Sequence, residues 1–241
     1  MTSSLRRSIL RLCLVTLSLM VSVNRAQSAP LCIAGNTLDQ YITTGSCTVG
    51  EILFSDFAQL AIPGAATQIP ASQVIVSPLG VDGLQFALNL SADAGEFFDI
   101  RFGYNVSGLL FNTVDLEMAG ASATGDGVVT AIKDICLGAP FDTSGLGGCP
   151  AGPSGTSVVF AIDGFDDLAE TFGPFAAVAQ LGIIDDLGID GGLAGTGTLN
   201  GSVSNRFTGT EPVPEPATGL LVLTGLAAAA RRRQRRSPPR P

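Results

Sequence analysis

Apolar and polar residues alternate in several short segments of the chain, with turn residues between them. In one segment Phe98, Ile100, Phe102, Tyr104 and Val106 recur at every second position. Side chains with this spacing lie on one face of a strand, so the segment is predicted to bury that face. Similar segments are 51–57, 73–76, 84–90, 114–118 and 157–162. Many short strands of this kind predict an all-β body, either an antiparallel β-sandwich or a jelly roll.

Helical patterning is expected only in the two apolar segments near the ends of the chain, because no capped helical run stands out between them. Residues 175–181 fit either a short helix or a strand. Residues 191–216 are rich in Gly, Thr, Ser and Pro and fit a last strand followed by a spacer.

The first 28 residues have the order of a secretory signal peptide. Basic residues precede an apolar run at 9–23, and the small residues Ala26 and Ser28 precede a cleavage site. Cleavage is predicted after Ser28, because a cut one residue later would leave Pro30 as the first residue of the mature chain. The alternative is an N-terminal membrane anchor that is not cleaved.

The C-terminal tail consists of Pro214, Glu215 and Pro216, an apolar segment at 217–230, and a basic cluster. The basic cluster contains Arg231, Arg232, Arg233, Arg235 and Arg236. As a helix the apolar segment would be about 21 Å long, whereas a membrane span needs roughly 20 residues or 30 Å. The segment is therefore expected to be a short transmembrane helix that stops transfer temporarily, with its arginines on the cytoplasmic side.

This order of Pro-Glu-Pro, apolar segment and arginines resembles the PEP-CTERM sorting tail of Gram-negative bacteria. The resemblance covers the tail alone, and the Pro-rich ending at 237–241 departs from it. It implies recognition by exosortase, a membrane cysteine transpeptidase or protease, in species that usually make exopolysaccharide. Segment 32–57 also resembles the start of a recurrent PEP-CTERM body of uncharacterised type, which implies no activity.

Three parts are therefore expected: a signal peptide at 1–28, an extracytoplasmic all-β domain at 29–209 and a sorting tail at 210–241. Signal peptidase and exosortase are the expected processing partners, and the inner membrane holds the tail before processing. The final location is expected to be the cell envelope, the outer surface or an extracellular matrix that contains exopolysaccharide.

Charge is strongly segregated along the chain. Of the 13 basic residues only Arg101, Lys133 and Arg206 lie in the body, together with all 21 acidic residues, so its net charge is −18. A surface of this charge repels nucleic acid and attracts cations. We expect no nucleic-acid partner, and we interpret the charge chiefly as a source of solubility.

Four cysteines remain after signal-peptide removal: Cys32, Cys47, Cys136 and Cys149. In an oxidising compartment they are expected to form two disulfides, for which three pairings exist. We favour the local pairing, Cys32 with Cys47 and Cys136 with Cys149. A zinc site is the alternative, but the closely spaced cysteine pairs that it needs are missing.

Several classes of enzyme are excluded because the sequence contains no histidine. Ser-His-Asp and Cys-His catalysis both require an imidazole, and Lys133, the one lysine, lies in no Ser-x-x-Lys motif. Neither a Walker A motif nor a dinucleotide fingerprint is present. A carboxylate-based glycosidase remains open, but the chain has no tryptophan and only Tyr41 and Tyr104 as tyrosines for stacking on sugars. The body is therefore predicted not to be an enzyme and to require no cofactor.

Calcium is the metal that the sequence favours most. Two clusters of acids near glycines are expected to lie in loops: Asp163, Asp166 and Asp167, and Asp185, Asp186 and Asp190. Calcium binds six to eight oxygens, but neither cluster matches an EF-hand loop. The alternative is that these are solvated turn residues.

The sequence thus favours an exported, non-catalytic surface or matrix protein. A binding module for calcium or an extracellular polymer is the second interpretation, and a carboxylate-based glycosidase is the third.

Overall fold

The computed structural model describes residues 29–62, 64, 66–143, 148–150 and 154–211. The predicted signal peptide, its cleavage residues and almost all of the sorting tail lie outside the described residues. Within the described part of the chain, no helix is long and apolar enough to cross a membrane.

The described part of the body contains thirteen strands, one short helix and one 3₁₀ turn at Ala71–Gln73. The helix, α1, is Leu38–Thr44. The strands are β1 (Asn36–Thr37), β2 (Ser46–Val49), β3 (Ile52–Leu60), β4 (Thr67–Gln68), β5 (Ile75–Leu79), β6 (Gly83–Ala92), β7 (Phe97–Thr124), β8 (Val128–Leu137), β9 (Ser154–Ile162), β10 (Phe165–Asp167), β11 (Ala169–Phe172), β12 (Val178–Asp190) and β13 (Thr196–Thr210). The all-β prediction is confirmed, and residues 175–181 form a strand from Val178 onwards.

The 28-residue strand β7 lies in the middle of the sheet. It connects one half, formed by β1, β5, β6 and β13, with the other half, formed by β12, β8, β9 and β10. Its first part pairs with β12 on one side and β3 on the other. Its last part pairs with β13 and β11. The main strand order is β1-β5-β6-β13-β7-β12-β8-β9-β10, and among the described strands only β4 pairs in parallel, with β7.

An aromatic core joins these two halves. Phe86 on β6 packs against Phe102 and Tyr104 on β7, with ring centroids 4.7 and 5.7 Å apart. Phe207 on β13 packs against Phe54 on β3 at 5.8 Å. All five rings are buried. This packing is consistent with a β-sandwich, in which the inward-facing side chains of two sheet layers interdigitate.

Helix α1 is a feature that the sequence reading missed. Thr37 and Gln40 form a capping box. The backbone amide of Gln40 donates to Thr37 Oγ1 at 3.4 Å, and the backbone amide of Thr37 donates to Gln40 Oε1 at 2.8 Å. The Thr-x-x-Gln spacing that produces this box is visible in the sequence. The helix is only seven residues long, so its apolar periodicity is too short to be recognised.

Both disulfides have the predicted local pairing, Cys32 with Cys47 and Cys136 with Cys149. The second bond holds the segment after β8 against the outer face of the sheet. There Cys136, Leu60, Phe141 and Ile184 form a small apolar cluster separate from the main core.

Glycine is required beneath this segment. A Cβ atom on Gly103 would lie 2.6 Å from the Phe141 ring, and one on Gly182 would lie 2.3 Å from the Phe141 nitrogen. The absence of a side chain at Gly103 and Gly182 therefore allows Phe141 to pack directly on β7 and β12.

Candidate functional site

Five polar residues converge inside the body from five different strands. Tyr104 lies on β7, Lys133 on β8, Ser157 on β9, Asp185 on β12 and Asn205 on β13. We call this set the lysine cluster. The side chains of Lys133 and Asn205 are fully buried, and Asp185 is 3% exposed. Lys133 is the one lysine of the whole chain.

Strand register places Asp185, Lys133 and Ser157 in one row. Lys133 lies directly opposite Asp185 on β12 and directly opposite Ser157 on β9. The Lys133 Nζ atom is 3.6 Å from Asp185 Oδ1, which makes a buried ion pair. The same ammonium lies 5.7 Å from the centre of the Phe207 ring.

Asn205 reaches the same carboxylate from β13. Its Nδ2 atom donates to Asp185 Oδ2 and to the Tyr104 hydroxyl, in each case at 2.6 Å. Asp185 therefore contacts an amine through one oxygen and a carboxamide through the other.

Burial dominates the acid–base properties of the cluster. It lowers the pKa of Lys133 from 10.5 to about 8, against the opposing effect of the Asp185 charge. It also raises the pKa of Asp185, against the effect of Lys133, and it raises the pKa of Tyr104 well above 10. Desolvation disfavours charge, so the neutral amine and the neutral acid are both more accessible here than in water.

The lysine cluster is incompletely hydrogen-bonded. Lys133 Nζ, Ser157 Oγ, Asp185 Oδ1 and Asn205 Oδ1 are buried and have no hydrogen-bond partner among the described residues. The contact between Lys133 and Asp185 is an ion pair at a distance longer than a hydrogen bond. Leaving a buried polar atom unsatisfied costs about 1–3 kcal/mol.

Among the grooves that described residues form, three lie away from this cluster. The largest of these three, about 460 Å³, is open and combines the amides of Gln73, Asn89 and Asn200 with the apolar side chains of Ile75 and Ala87. We call it the amide groove. Asn89 and Asn200 are directly opposite each other on β6 and β13.

The second groove, of about 320 Å³, contains two carboxylates, Glu51 and Asp82, beside Ile52, Val81 and other residues. Asp82 forms an ion pair with Arg206 at 3.1 Å. The third, of about 170 Å³, includes Asp166. None of these three grooves is lined by a member of the lysine cluster.

A separate acidic cluster surrounds Arg101. The guanidinium lies 3.5 Å from Asp134 and 3.5 Å from Asp186. The neighbouring Asp99 is 4% exposed. Burial, together with the nearby Asp186 charge, raises the pKa of Asp99 from 3.8 to about 7.

The predicted calcium ligands do not lie as expected. Asp185, Asp186 and Asp190 belong to strand β12, so the expectation that they lie in a loop is wrong. Alternation along the strand sends Asp185 into the core beside Lys133 and Asp186 to the outer face beside Arg101. The Asp190 carboxylate accepts a hydrogen bond from the Gly192 amide at 2.7 Å.

The other acidic triplet is more exposed. Asp163 follows β9 and accepts from the Gly125 amide at 3.2 Å, whereas Asp166 and Asp167 lie in β10. In the described ranges no group of three or more Asp, Glu, Cys or His side chains is arranged to hold a metal ion. Calcium binding stays a prediction.

Sequence reasoning did not identify Tyr104, Ser157 or Asn205 as members of a site. A signal was present, because polar residues occupy inward positions of otherwise apolar strands. On the inward face of β8, Lys133 is flanked by Ala131 and Ile135, two positions away on either side. Asn205 likewise stands between Val203 and Phe207, and Asp185 stands between Ile183 and Leu187.

Comparison with known proteins concerns mainly the tail. The model of the PEP-CTERM protein-sorting motif matches residues 212–236. The chain carries a PEP-CTERM sorting motif. The motif implies export, membrane anchoring before processing, and processing by exosortase. No curated protein matches the sequence.

Two solved structures show a weak similarity to the body. One is TmCBM61 in complex with β-1,4-galactotriose, with 12% identity and a TM-score of 0.28 over 68% of this chain and 93% of that one. The other is the enzymatically active domain of bacteriophage CBA120 tailspike protein 4, with 10% identity and a TM-score of 0.22 over 67% of this chain and 20% of that one. Both TM-scores are too low to carry an argument about ligand or activity.

Proposed function

We propose that the body is a non-catalytic domain that the PEP-CTERM motif delivers to the cell surface or to an extracellular matrix containing exopolysaccharide. The sorting motif at residues 212–236 carries the delivery half of this proposal, and the enclosure of Lys133 carries the non-catalytic half. It is the one lysine in a chain without histidine, it is fully buried, and the three grooves described above do not reach it. A general base must come within hydrogen-bond reach of its substrate.

Charge supports the same proposal. Each of the three basic residues of the body pairs with aspartate: Arg101 with Asp134 and Asp186, Lys133 with Asp185, and Arg206 with Asp82. The remaining acids give the surface a high negative charge, which favours solubility and hydration outside the cell.

The delivery half of the proposal is tested by changing the motif. The chain carrying Pro214→Ala, Glu215→Ala and Pro216→Ala is compared with wild type in fractions of the bacterium that encodes it. We expect wild-type protein in the surface or matrix fraction and the variant in the membrane fraction. The matched control changes Pro238 and Pro239 to Ala, outside the matched residues 212–236, and should behave as wild type. Equal distribution of all three proteins would contradict the proposal.

The non-catalytic half is tested by assaying the mature protein against polysaccharides, esters and peptides. Glu51 and Asp82 are the residues to examine, since they are the two carboxylates that line one groove. Retaining and inverting glycosidases both use such a pair. Turnover of a polysaccharide that disappears in Glu51→Gln, with the fold intact, would show a glycosidase, and turnover of any of the three substrate classes would overturn the proposal.

A second candidate function, binding of an extracellular polymer, is favoured by the amide groove. Three amides beside two apolar side chains, in a groove open along the sheet surface, provide hydrogen-bond donors and acceptors with an apolar floor. Co-sedimentation with exopolysaccharide should weaken in Asn89→Ala/Asn200→Ala. Asn112→Ala, which lies outside the groove, is the matched control.

A further inference from the structure

We propose that Lys133 and Asn205 become joined in the folded body by an intramolecular amide bond between Lys133 Nζ and Asn205 Cγ. This isopeptide bond would connect β8 to β13. No step requires a cofactor or an oxidant, because the amine displaces ammonia from the carboxamide and forms a new amide.

The first support is geometric. Asp185 contacts both reacting groups at once, with Oδ1 facing Lys133 Nζ at 3.6 Å and Oδ2 accepting from Asn205 Nδ2 at 2.6 Å. The strands hold the groups in place, because Lys133 and Asp185 are register partners. Groups fixed near one another in this way react as if at very high concentration.

The second support is the lack of partners in the unreacted cluster. Lys133 Nζ and Asn205 Oδ1 are both buried without a hydrogen-bond partner among the described residues. A buried ammonium and carboxylate carry a desolvation cost that their attraction does not always repay. Amide formation converts the ammonium into a neutral group and so removes this charge from the core.

The chemistry balances with the residues present. A proton first passes from the Lys133 ammonium to the Asp185 carboxylate, which leaves a neutral amine and a neutral acid. Burial favours this direction, since it lowers the pKa of Lys133 and raises the pKa of Asp185. The amine lone pair then attacks Asn205 Cγ and forms the new carbon–nitrogen bond.

The leaving group is Asn205 Nδ2. It lies 2.6 Å from Asp185 Oδ2 and 2.6 Å from the Tyr104 hydroxyl. Asp185 gives its proton to Nδ2 and takes one from the attacking nitrogen, while the hydroxyl of Tyr104 remains hydrogen-bonded to Nδ2. The Cγ–Nδ2 bond breaks and ammonia leaves, so that Asp185 acts without being consumed. A bond to Asp185 itself would use up the group that moves the proton.

The product would link two parts of the sheet that do not pair with each other. β8 pairs with β12 and β9, whereas β13 pairs with β6 and β7. A covalent bond across the core would therefore fasten the two halves that β7 already connects. This device suits the proposed extracellular role, but it does not depend on that role.

The decisive measurement is the mass of the mature, full-length protein, purified from the envelope, reduced and denatured. We expect a mass lower than the sequence requires by the mass of one ammonia. Cleavage after glutamate separates Lys133, in fragment 118–170, from Asn205, in the fragment that begins at Thr171. These two fragments should remain joined after reduction, because both cysteines of the nearby disulfide lie in the first fragment.

Variants identify the residues that make the bond. Asp185→Asn keeps the size of the side chain but cannot move the proton, so its fragments should separate. Ser157→Ala is the matched control, because Ser157 also faces Lys133 across a strand pair but has no part in the reaction, and its fragments should stay joined. If a variant does not accumulate, the wild-type measurement decides alone. Separate wild-type fragments at full mass, or a joined pair that has lost water through Asp185, would overturn the proposal.

Discussion

Lys133 lies directly opposite Asp185 on neighbouring antiparallel strands, with Nζ 3.6 Å from Oδ1 and both side chains buried. Removal of one partner from a buried pair leaves an uncompensated charge, which typically costs about 3–5 kcal/mol. Replacement of both partners by apolar groups avoids that cost. This distinction leads to the first prediction.

Lys133→Met should lower the free energy of unfolding by about 3–5 kcal/mol, as measured by urea denaturation. Lys133→Met/Asp185→Leu should be more stable than Lys133→Met, because no charge then remains at the site. The comparison between the single and double variants holds whether or not a covalent bond forms in the wild type. A double variant less stable than the single variant would contradict the assignment of Asp185 as the buried counter-charge.

Asp99 should make the body less stable as the pH rises. Its pKa is raised by burial and by Asp186 to about 7 in the folded state, from 3.8. Between these two values the folded protein binds more protons than the unfolded chain, so the contribution of Asp99 favours folding at pH 5 and is lost as the pH rises through 7.

The measurement is denaturation of wild type and Asp99→Asn at pH 5 and pH 8. Asp99→Asn should reduce the loss of stability between these pH values, and it should be more stable than wild type at pH 8. Asp167→Asn, at an exposed position on β10, is the control and should keep the wild-type dependence. Identical profiles for all three proteins would be evidence against a raised pKa at Asp99.

Gly103→Ala should destabilise the body through Phe141. The added Cβ would lie 2.6 Å from the ring, and overpacking of this kind costs about 1–3 kcal/mol. Phe141→Ala should make the body tolerate Gly103→Ala, because the clash then disappears. The measurement is a double-mutant cycle of unfolding free energies. Additive effects of the two substitutions would show that the ring does not cover Gly103.

The mature protein should be shorter than the chain at both ends. Signal-peptide cleavage removes residues 1–28, and processing of the sorting motif removes most of the chain after Pro216. Terminal peptides of the exported protein, identified by mass spectrometry, test both cuts. Recovery of the arginine cluster at 231–236 in the surface fraction would contradict the temporary role of the tail.

Alternation predicted much of the architecture because each strand buries one face. It placed Phe102, Tyr104 and Val106 correctly in the core. It did not predict that β7 continues for 28 residues and pairs with different strands along its length, because pairing partners depend on contacts far apart in sequence. The sorting motif was recognisable from local order alone, and its match at residues 212–236 confirms that interpretation.

The candidate site was less predictable. The sequence predicts a calcium-binding loop at Asp185, because three acids and two glycines lie together there. The same residues continue the strand pattern, and the strand separates Asp185 from Asp186 onto opposite faces. Lys133 and Asn205 are 72 positions apart, so their shared contact with Asp185 becomes visible only when the sheet is assembled.

The position of β13 also determines when this protein can fold. Although it is the last strand of the body, β13 lies between β6 and β7 near the middle of the sheet. A chain that leaves the cell with its N-terminus first delivers this central strand after all the others, and non-local pairings of this kind form late. β13 ends at Thr210, two residues before the sorting motif begins. Completion of the fold and arrival of the tail at the membrane are therefore nearly simultaneous events.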